Sequence, residues 1–186
     1  VPGHAGAPLP GVEVRLVNEQ HEPVPDGTPG EIQIRGDNVF REYWRNPQAT
    51  ASSYVGDWFR SGDVAVRENG IYRILGRNSV DIIKTGGFKV SALEIEEELR
   101  NHEAIDQCAV VGVEDPEWGE RVSAAVVLRE GCTLDLEGLR AWAKERLAVY
   151  KVPSRLMVLE ELPRNAMGKV TKPDLVKQFR NEGAAR

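Results

Sequence analysis

The hydrophobic patterning of this chain changes character at Arg77, and that change limits its possible folds more than any other feature. Before Arg77 the apolar residues fall in short runs: VEVRLVN (12–18), EIQIRG (31–36), WFRSGDVAVR (58–67) and IYRILGR (71–77). VEVRLVN and EIQIRG alternate apolar with polar positions, the period of a strand covered on one face. Turn chemistry separates the runs. HEPVPDGTPG (21–30) places three prolines and two glycines in one loop, and ENG (68–70) divides the last two strands. NPQATASSY (46–54) reads as one short helix, with Asn46 as N-cap and Pro47 in the first turn. The spacing predicts a small antiparallel sheet or open barrel that completes a larger domain.

After Arg77 strands alternate with helices. DIIK (81–84) and FKV (88–90) flank Thr85-Gly86-Gly87, a hairpin signal. SALEIEEELRNH (91–102) reads as a helix opened by a capping box, Ser91 with Glu94, and Leu93, Ile95 and Leu99 give it an apolar side. QCAVVGVED (107–115) and RVSAAVVLRE (121–130) read as strands. LEGLRAWAKERLAVY (136–150) reads as a helix with Leu139, Trp142, Ala143 and Leu147 on one face. RLMVLE (155–160) is a further strand, and KPDLVKQFRNE (172–182) a last helix with Pro173 near its start. The expected fold class is therefore α+β. Residues 1–77 form a small antiparallel β subdomain, the end of a large N-terminal domain, and residues 78–186 a mobile α+β lid domain. At about 110 residues the second part is large enough to fold alone. The joint lies between Gly76 and Asp81. It has no Pro/Gly/Ser-rich linker, and the short polar stretch Arg77-Asn78-Ser79 lets the second part rotate as a body.

Charge and composition remove several classes of function. A net charge of −5 and a pI near 5.4 leave no basic face for nucleic acid. No apolar run approaches the ~20 residues of a membrane span. Cys108 and Cys132 have neither CxxC spacing nor the density of a disulfide scaffold, which points to a reduced compartment. His4, His21 and His102 are too scattered to ligate a metal together. The chain begins with Val in VPGHAGAPLPG, expected to be mid-loop. A piece of a longer protein is expected, with any targeting segment upstream.

Several residues have chemistry to offer. Asp63, in Ser61-Gly62-Asp63, would hold a carboxylate at a strand terminus, where two acceptor oxygens suit a vicinal diol; taken alone, the tripeptide is better read as an Asx-type turn between strands. Arg77 offers a planar donor fork, or a surface ion pair. Gly86 and Gly87 permit positive φ and close approach of a ligand, or simply a tight hairpin. Lys84 beside them is an ordinary strand lysine by default. PRNAMGKVTK (163–172) carries Lys169 after Gly168, without the spacing of a GxxxxGK[ST] phosphate loop. Lys169 is either a solvated charge or a point charge brought to anionic oxygens in a transition state.

The order of these pieces is more specific than any one of them. GEIQIRG, GDWFRSGD, ILGRNSVDIIKTGGFKVSALEIEEEL and PRNAMGK resemble, in the same order, motifs of the adenylate-forming superfamily: acyl-CoA synthetases, luciferases and nonribosomal adenylation domains. The resemblance runs from about Gly6 to Phe179. Within it, SVDIIKTGGFKVSALEIE and VPGHAGAPLPGVEVRLV look most like malonyl-CoA synthetases. It implies a C-terminal portion of an ATP-dependent acid–thiol ligase forming malonyl- or methylmalonyl-CoA through an acyl-adenylate, with a small-molecule carboxylate, ATP, Mg2+ and coenzyme A as partners. A fatty acyl-CoA synthetase, or a non-catalytic interaction module on the same fold, are the alternatives.

By that resemblance Asp63 matches the aspartate that binds the ribose hydroxyls and Arg77 an arginine on the same sugar. Lys169 matches the lysine that bridges carboxylate and α-phosphate. Gly87 matches the glycine beside the pantetheine tunnel and Lys84 a residue turning inward for thioester formation, with Gly86 assigned to the same step. Many relatives place an Asp or Lys two residues after the arginine as hinge pivot. Here that position is Ser79, so the pivot lies among Asn78, Ser79, Val80 and Asp81. The family's phosphate loop, its Mg-binding glutamate and most of its acyl pocket would lie upstream of Val1, so this portion alone is expected to be inactive and to hold no metal. The expected compartment is the cytoplasm, or the mitochondrial matrix if a targeting segment lies upstream.

Overall fold

The computed structural model describes residues 4–184; the expected opening loop at Val1-Pro2-Gly3 lies outside them. The chain forms two compact units that divide between Ser79 and Val80.

The first unit is a five-stranded antiparallel sheet. Strands β1 (Glu13–Val17), β2 (Gly30–Arg35), β4 (Trp58–Glu68) and β3 (Tyr54–Val55) lie in that order, and β5 (Ile71–Arg77) pairs with β4. An open barrel was the other possibility; this is a sheet. Its apolar face buries Leu16, Ala65 and Tyr72, with Val14, Val24 and Ile32 packed against them. The other face mixes buried Val17 and Val64 with polar side chains that find partners. Gln33 is fully buried, its Oε1 accepting from Arg15 at 2.7 and 2.9 Å, while Arg15 and Arg35 lie over the Trp58 ring. Helix α1 (Pro47–Ser52) begins as expected, with Asn46 Oδ1 accepting from Ala49 N.

The second unit is built on the hairpin of β8 (Ile105–Asp115) and β9 (Gly119–Leu128). Strand β10 (Arg155–Val158) joins β9 on its other side in parallel, after helix α3 (Leu136–Lys144) provides the crossover that parallel pairing requires. The hairpin of β6 (Ile82–Thr85) and β7 (Phe88–Ser91) attaches where Thr85 meets Gly119. Helices cover both faces of this sheet. Ile95 and Leu99 of α2 (Ala92–Leu99) and Leu139 and Ala143 of α3 pack on Val110, Val122, Ala124 and Val126. Leu175 and Phe179 of α4 (Lys172–Ala184) pack on Ala109, Val111, Val113 and Ala125. Burial on both sides is why β8 and β9 read as near-continuous apolar runs. The α+β class is as expected.

Local boundaries differ from the expectations in instructive ways. Leu93 is exposed, and the buried stripe of α2 is Ala92, Ile95, Glu96 and Leu99, the i, i+3, i+4, i+7 spacing of one helical face. That helix ends at Leu99 rather than His102. Helix α3 stops at Lys144 rather than Tyr150: a 3-10 turn, Val149–Lys151, follows, and Val152 is extended ahead of Pro153. Strand β10 ends at Val158. Ser91 Oγ accepts from Glu94 N as the expected N-cap, and the Glu94 carboxylate also receives Lys151 Nζ at 2.6 Å.

Candidate functional site

Asp63 lies within β4, not at a strand end as the sequence suggests, and not in an Asx turn. It stands directly opposite Arg77, the last residue of β5, and Arg77 Nε donates to Asp63 Oδ1 at 2.9 Å. The ladder slips by one residue between Val64 and Ala65, and such a bulge re-aims side chains. Gly62 has φ +75°, which an L side chain adopts only under strain. Ser61 Oγ donates to Ile32 O and accepts from Asp63 N at 3.1 Å, pinning the kink to β2. Asp63 and Arg77 side chains are 30% and 61% exposed. An ion pair this accessible is worth under about 1 kcal/mol, so stability does not explain the glycine, the serine and the bulge that shape it. The pair presents acceptor oxygens and a guanidinium to solvent side by side, the complement of a sugar's hydroxyls.

Lys169 stands on a small hairpin whose ends meet at Arg164 and Val170. Asn165 holds it: its Oδ1 accepts from Met167 N and Lys169 N, both at 3.0 Å, and its N–H donates to Lys169 O at 2.9 Å. Gly168, at φ +77°, closes the turn by donating to Asn165 O. Arg164 braces it, one nitrogen donating to Gly168 O at 2.7 Å and the other to Gln107 Oε1 at 2.8 Å. Both backbone groups of Lys169 are therefore fixed while the residue itself is exposed. The backbone of the loop is braced.

Gly86 and Gly87 form the two-residue loop between β6 and β7, with φ +55° and +83°, as a type I′ turn requires. Gly86 N donates to Trp118 O, and a Cβ at Gly86 would sit 3.1 Å from the Trp118 ring; none is within 4 Å at Gly87. Lys84, exposed on β6, is held through its N–H, which donates to Glu120 Oε2 at 2.6 Å. Across the joint, Asn78 N donates to Gly62 O in the first unit, whereas Asp81 is buried in the second, its carbonyl accepting from Ala92 N at 2.7 Å. Asn78, Ser79 and Val80 are exposed. Asp63 and Arg77 thus belong to the first unit, and Lys84, Gly86, Gly87 and Lys169 to the second.

Sequence reading missed Trp118 and Glu120, which shape the glycine hairpin, and the ion cluster around Asp81. Gly112 gave one signal, an isolated glycine inside a strand: a Cβ there would come 2.8 Å from the Glu120 carboxyl. Among the described residues no group of three or more His, Cys, Asp or Glu side chains is placed to hold a metal ion, and no helix is long and apolar enough to cross a membrane.

Comparison with known proteins places this geometry. Residues 1–44 match the family described as AMP-binding enzyme, and residues 94–169 the family described as AMP-binding enzyme C-terminal domain. The chain belongs to the adenylate-forming, AMP-binding enzymes. It is 48% identical over 98% of its length to the mitochondrial malonate–CoA ligase ACSF3 of Mus musculus, 43% identical over 97% to a malonate–CoA ligase of Arabidopsis thaliana, and 41% identical over 95% to a feruloyl-CoA synthase of Amycolatopsis. It spans only 35%, 31% and 36% of those proteins. Among solved structures it resembles ATP-bound MatB of Rhodopseudomonas palustris, at 39% identity and a TM-score of 0.83 over 96% of this chain and 36% of that one. Against apo MatB the TM-score is 0.68, with the same two coverages.

Proposed function

We propose that this chain is the C-terminal portion of an ATP-dependent acid–thiol ligase that makes malonyl- or methylmalonyl-CoA. In the first step a substrate carboxylate oxygen attacks the α-phosphorus of ATP, the bond to the β-phosphate oxygen breaks, and pyrophosphate leaves. In the second, the CoA sulfur attacks the acyl carbon of the adenylate, its thiol proton is lost to solvent, and AMP leaves with the bonding pair.

Both partners of the first step are anionic, so attack needs a cation at the forming bond. Lys169 supplies it. Asp63 accepts from the ribose hydroxyls and Arg77 donates to the same sugar. Lys84, Gly86 and Gly87 act in the thioester step, the glycine hairpin leaving room beside its backbone for the pantetheine arm. Mg2+ accompanies ATP and takes no ligand cage from the described residues. The observation that carries the reading is the Asp63–Arg77 pair, set across a bulge in a chain so similar to malonate–CoA ligases.

The two steps need different surroundings, and the joint answers that need. Residues 78–186 act as the mobile domain and 1–77 as the end of the nucleotide-binding domain. Because Asn78 is tied to Gly62 and Asp81 to Ala92, rotation is confined to Ser79 and Val80, with Asn78 and Asp81 as its fixed ends. The mitochondrial matrix is favoured over the cytoplasm by the names of the ACSF3 relatives.

The test is carboxylate-dependent ATP–pyrophosphate exchange by the full-length protein. Malonate and methylmalonate should support exchange, and a fatty acid of medium length should not. Exchange with the fatty acid alone would overturn the malonate assignment, and exchange with no carboxylate at all would overturn the ligase reading. The isolated chain should make no thioester.

A further inference from the structure

We propose that Lys172 is a positioning residue for Lys169, acting through a buried cluster with Asp81 and Glu96. The proposal rests on the reading of Lys169 as the cation of the adenylation step and names what holds it in place.

Lys172 is the first residue of α4, three positions beyond Lys169. Its Nζ lies 2.5 Å from Asp81 Oδ1 and 2.9 Å from Glu96 Oε1. The three side chains are 12%, 11% and 8% exposed. Glu96 Oε1 also accepts from Val110 N at 2.8 Å, and Arg100 stands 3.8 Å from its other oxygen. One ammonium thus joins the first buried residue after the joint, the middle of α2, and through Glu96 the backbone of β8.

Neither local propensity nor stability accounts for this lysine. A cation in the first turn of a helix opposes the helix dipole. A buried ion pair is on average no better for stability than apolar side chains of the same volume, although losing one partner is costly. What the cluster does supply is a fixed position. Between Lys172 and Lys169 the chain has little slack, since Thr171 N donates to Pro163 O at 2.9 Å and Val170 pairs with Arg164. The Lys169 hairpin therefore stands on the root of α4, and the cluster ties that root to Asp81. A turn of the chain at Ser79 and Val80 then carries Lys169 with it rather than being absorbed in the intervening structure.

The experiment uses the full-length protein and measures three quantities: kcat and KM for ATP in malonate-dependent pyrophosphate exchange, thioester formation from preformed malonyl-adenylate and CoA, and the melting temperature. Lys172→Met should lower exchange kcat about 10²-fold, the effect of roughly 1 Å of misplacement, with KM for ATP changed less than about threefold and thioester formation largely kept. Lys172→Arg should recover most of the exchange. Lys172→Met removes the cation that Asp81 and Glu96 share in a buried setting and risks unfolding, so the combined variant Asp81→Asn, Glu96→Gln, Lys172→Met is the decisive one. It removes all three charges, should melt near the parent temperature, and should keep the exchange defect. A folded combined variant with parental exchange, or with equal losses in both steps, overturns the proposal. Lys169→Ala separates the two readings. If it abolishes exchange while the Lys172 variants do not, only the positioning role falls; if it leaves exchange intact, the ligase reading falls and this inference with it.

Discussion

Phe179→Ala is the perturbation that most directly probes how the Lys169 hairpin is supported. Phe179 is fully buried on the inner face of α4, among Ala109, Val111, Val113, Ala125, Met157 and Leu175. Its carbonyl accepts from Arg155 at 2.6 Å, and the Arg155 guanidinium lies 5.2 Å from its ring centre. Truncation removes the largest side chain from that layer, and the close-packed sheet beneath α4 limits how far the space can collapse. The cost is about 3–5 kcal/mol, a large share of the 5–15 kcal/mol typical of a domain. At roughly 4–8 °C per kcal/mol for a domain near 100 residues, the melting temperature should fall by about 12–40 °C. Differential scanning calorimetry reads this directly. Two controls bracket it: Phe179→Leu keeps most of the volume and should cost about 1.5 kcal/mol or less, and Met167→Ala, at a position 79% exposed, should fall within about 0.5 kcal/mol of the parent. A Phe179→Ala melting shift below about 5 °C, or one no larger than that of Met167→Ala, would refute the packing on which the support of α4 is argued.

Other outcomes follow from particular residues. Gly86→Ala should destabilise more than Gly87→Ala, because both adopt positive φ but only Gly86 faces the Trp118 ring at 3.1 Å; the added cost is of the order of 1 kcal/mol, measurable by thermal melts, and Trp118→Ala should abolish the difference. His102 is buried with Nδ1 accepting from Ala104 N, and burial holds its pKa below the ordinary 6.5. The unfolded chain therefore takes up this proton first as pH falls, so the His102 contribution is complete above about pH 6.5 and is lost as pH drops from there through the lower folded value. Histidine-resolved titration together with melts of the parent and His102→Gln should show the parent losing more stability over that interval. Cys108 is half-buried, and burial with the Glu96 charge nearby pushes its thiol up to about 11, whereas Cys132 is exposed; a thiol reagent at neutral pH should label Cys132 rapidly and Cys108 only on unfolding.

Much of the architecture was legible because local pattern and tertiary environment agree. The Asn46 and Ser91 caps and the double-glycine hairpin are local signals, and each stands where the sequence places it. What escaped depends on contacts far apart in sequence. The runs of β8 and β9 look alike whichever helix covers them, so pattern alone could not assign α2 and α3 to one face and α4 to the other. Leu93 was misplaced because three apolar residues fit two overlapping helical faces, and only packing against β8 selects Ile95 and Leu99. Asp63 was expected at a strand end because Gly-Asp reads as a turn; β4 instead bulges against β2, where Gln33 pairs with Arg60 and Glu31 with Val64, and the strand continues through Asp63. The Lys172 cluster joins residues 91 positions apart, and in the sequence each member is one more surface-like charge.

If Lys169 serves the adenylation step and not the thioester step, the two half-reactions must respond differently to its loss. Lys169→Ala is compared with the parent in the full-length protein, each half-reaction measured alone. Malonate-dependent ATP–pyrophosphate exchange should fall roughly 10³-fold or more, with thioester formation from preformed malonyl-adenylate and CoA retained. Equal rates in both half-reactions for variant and parent would contradict that role.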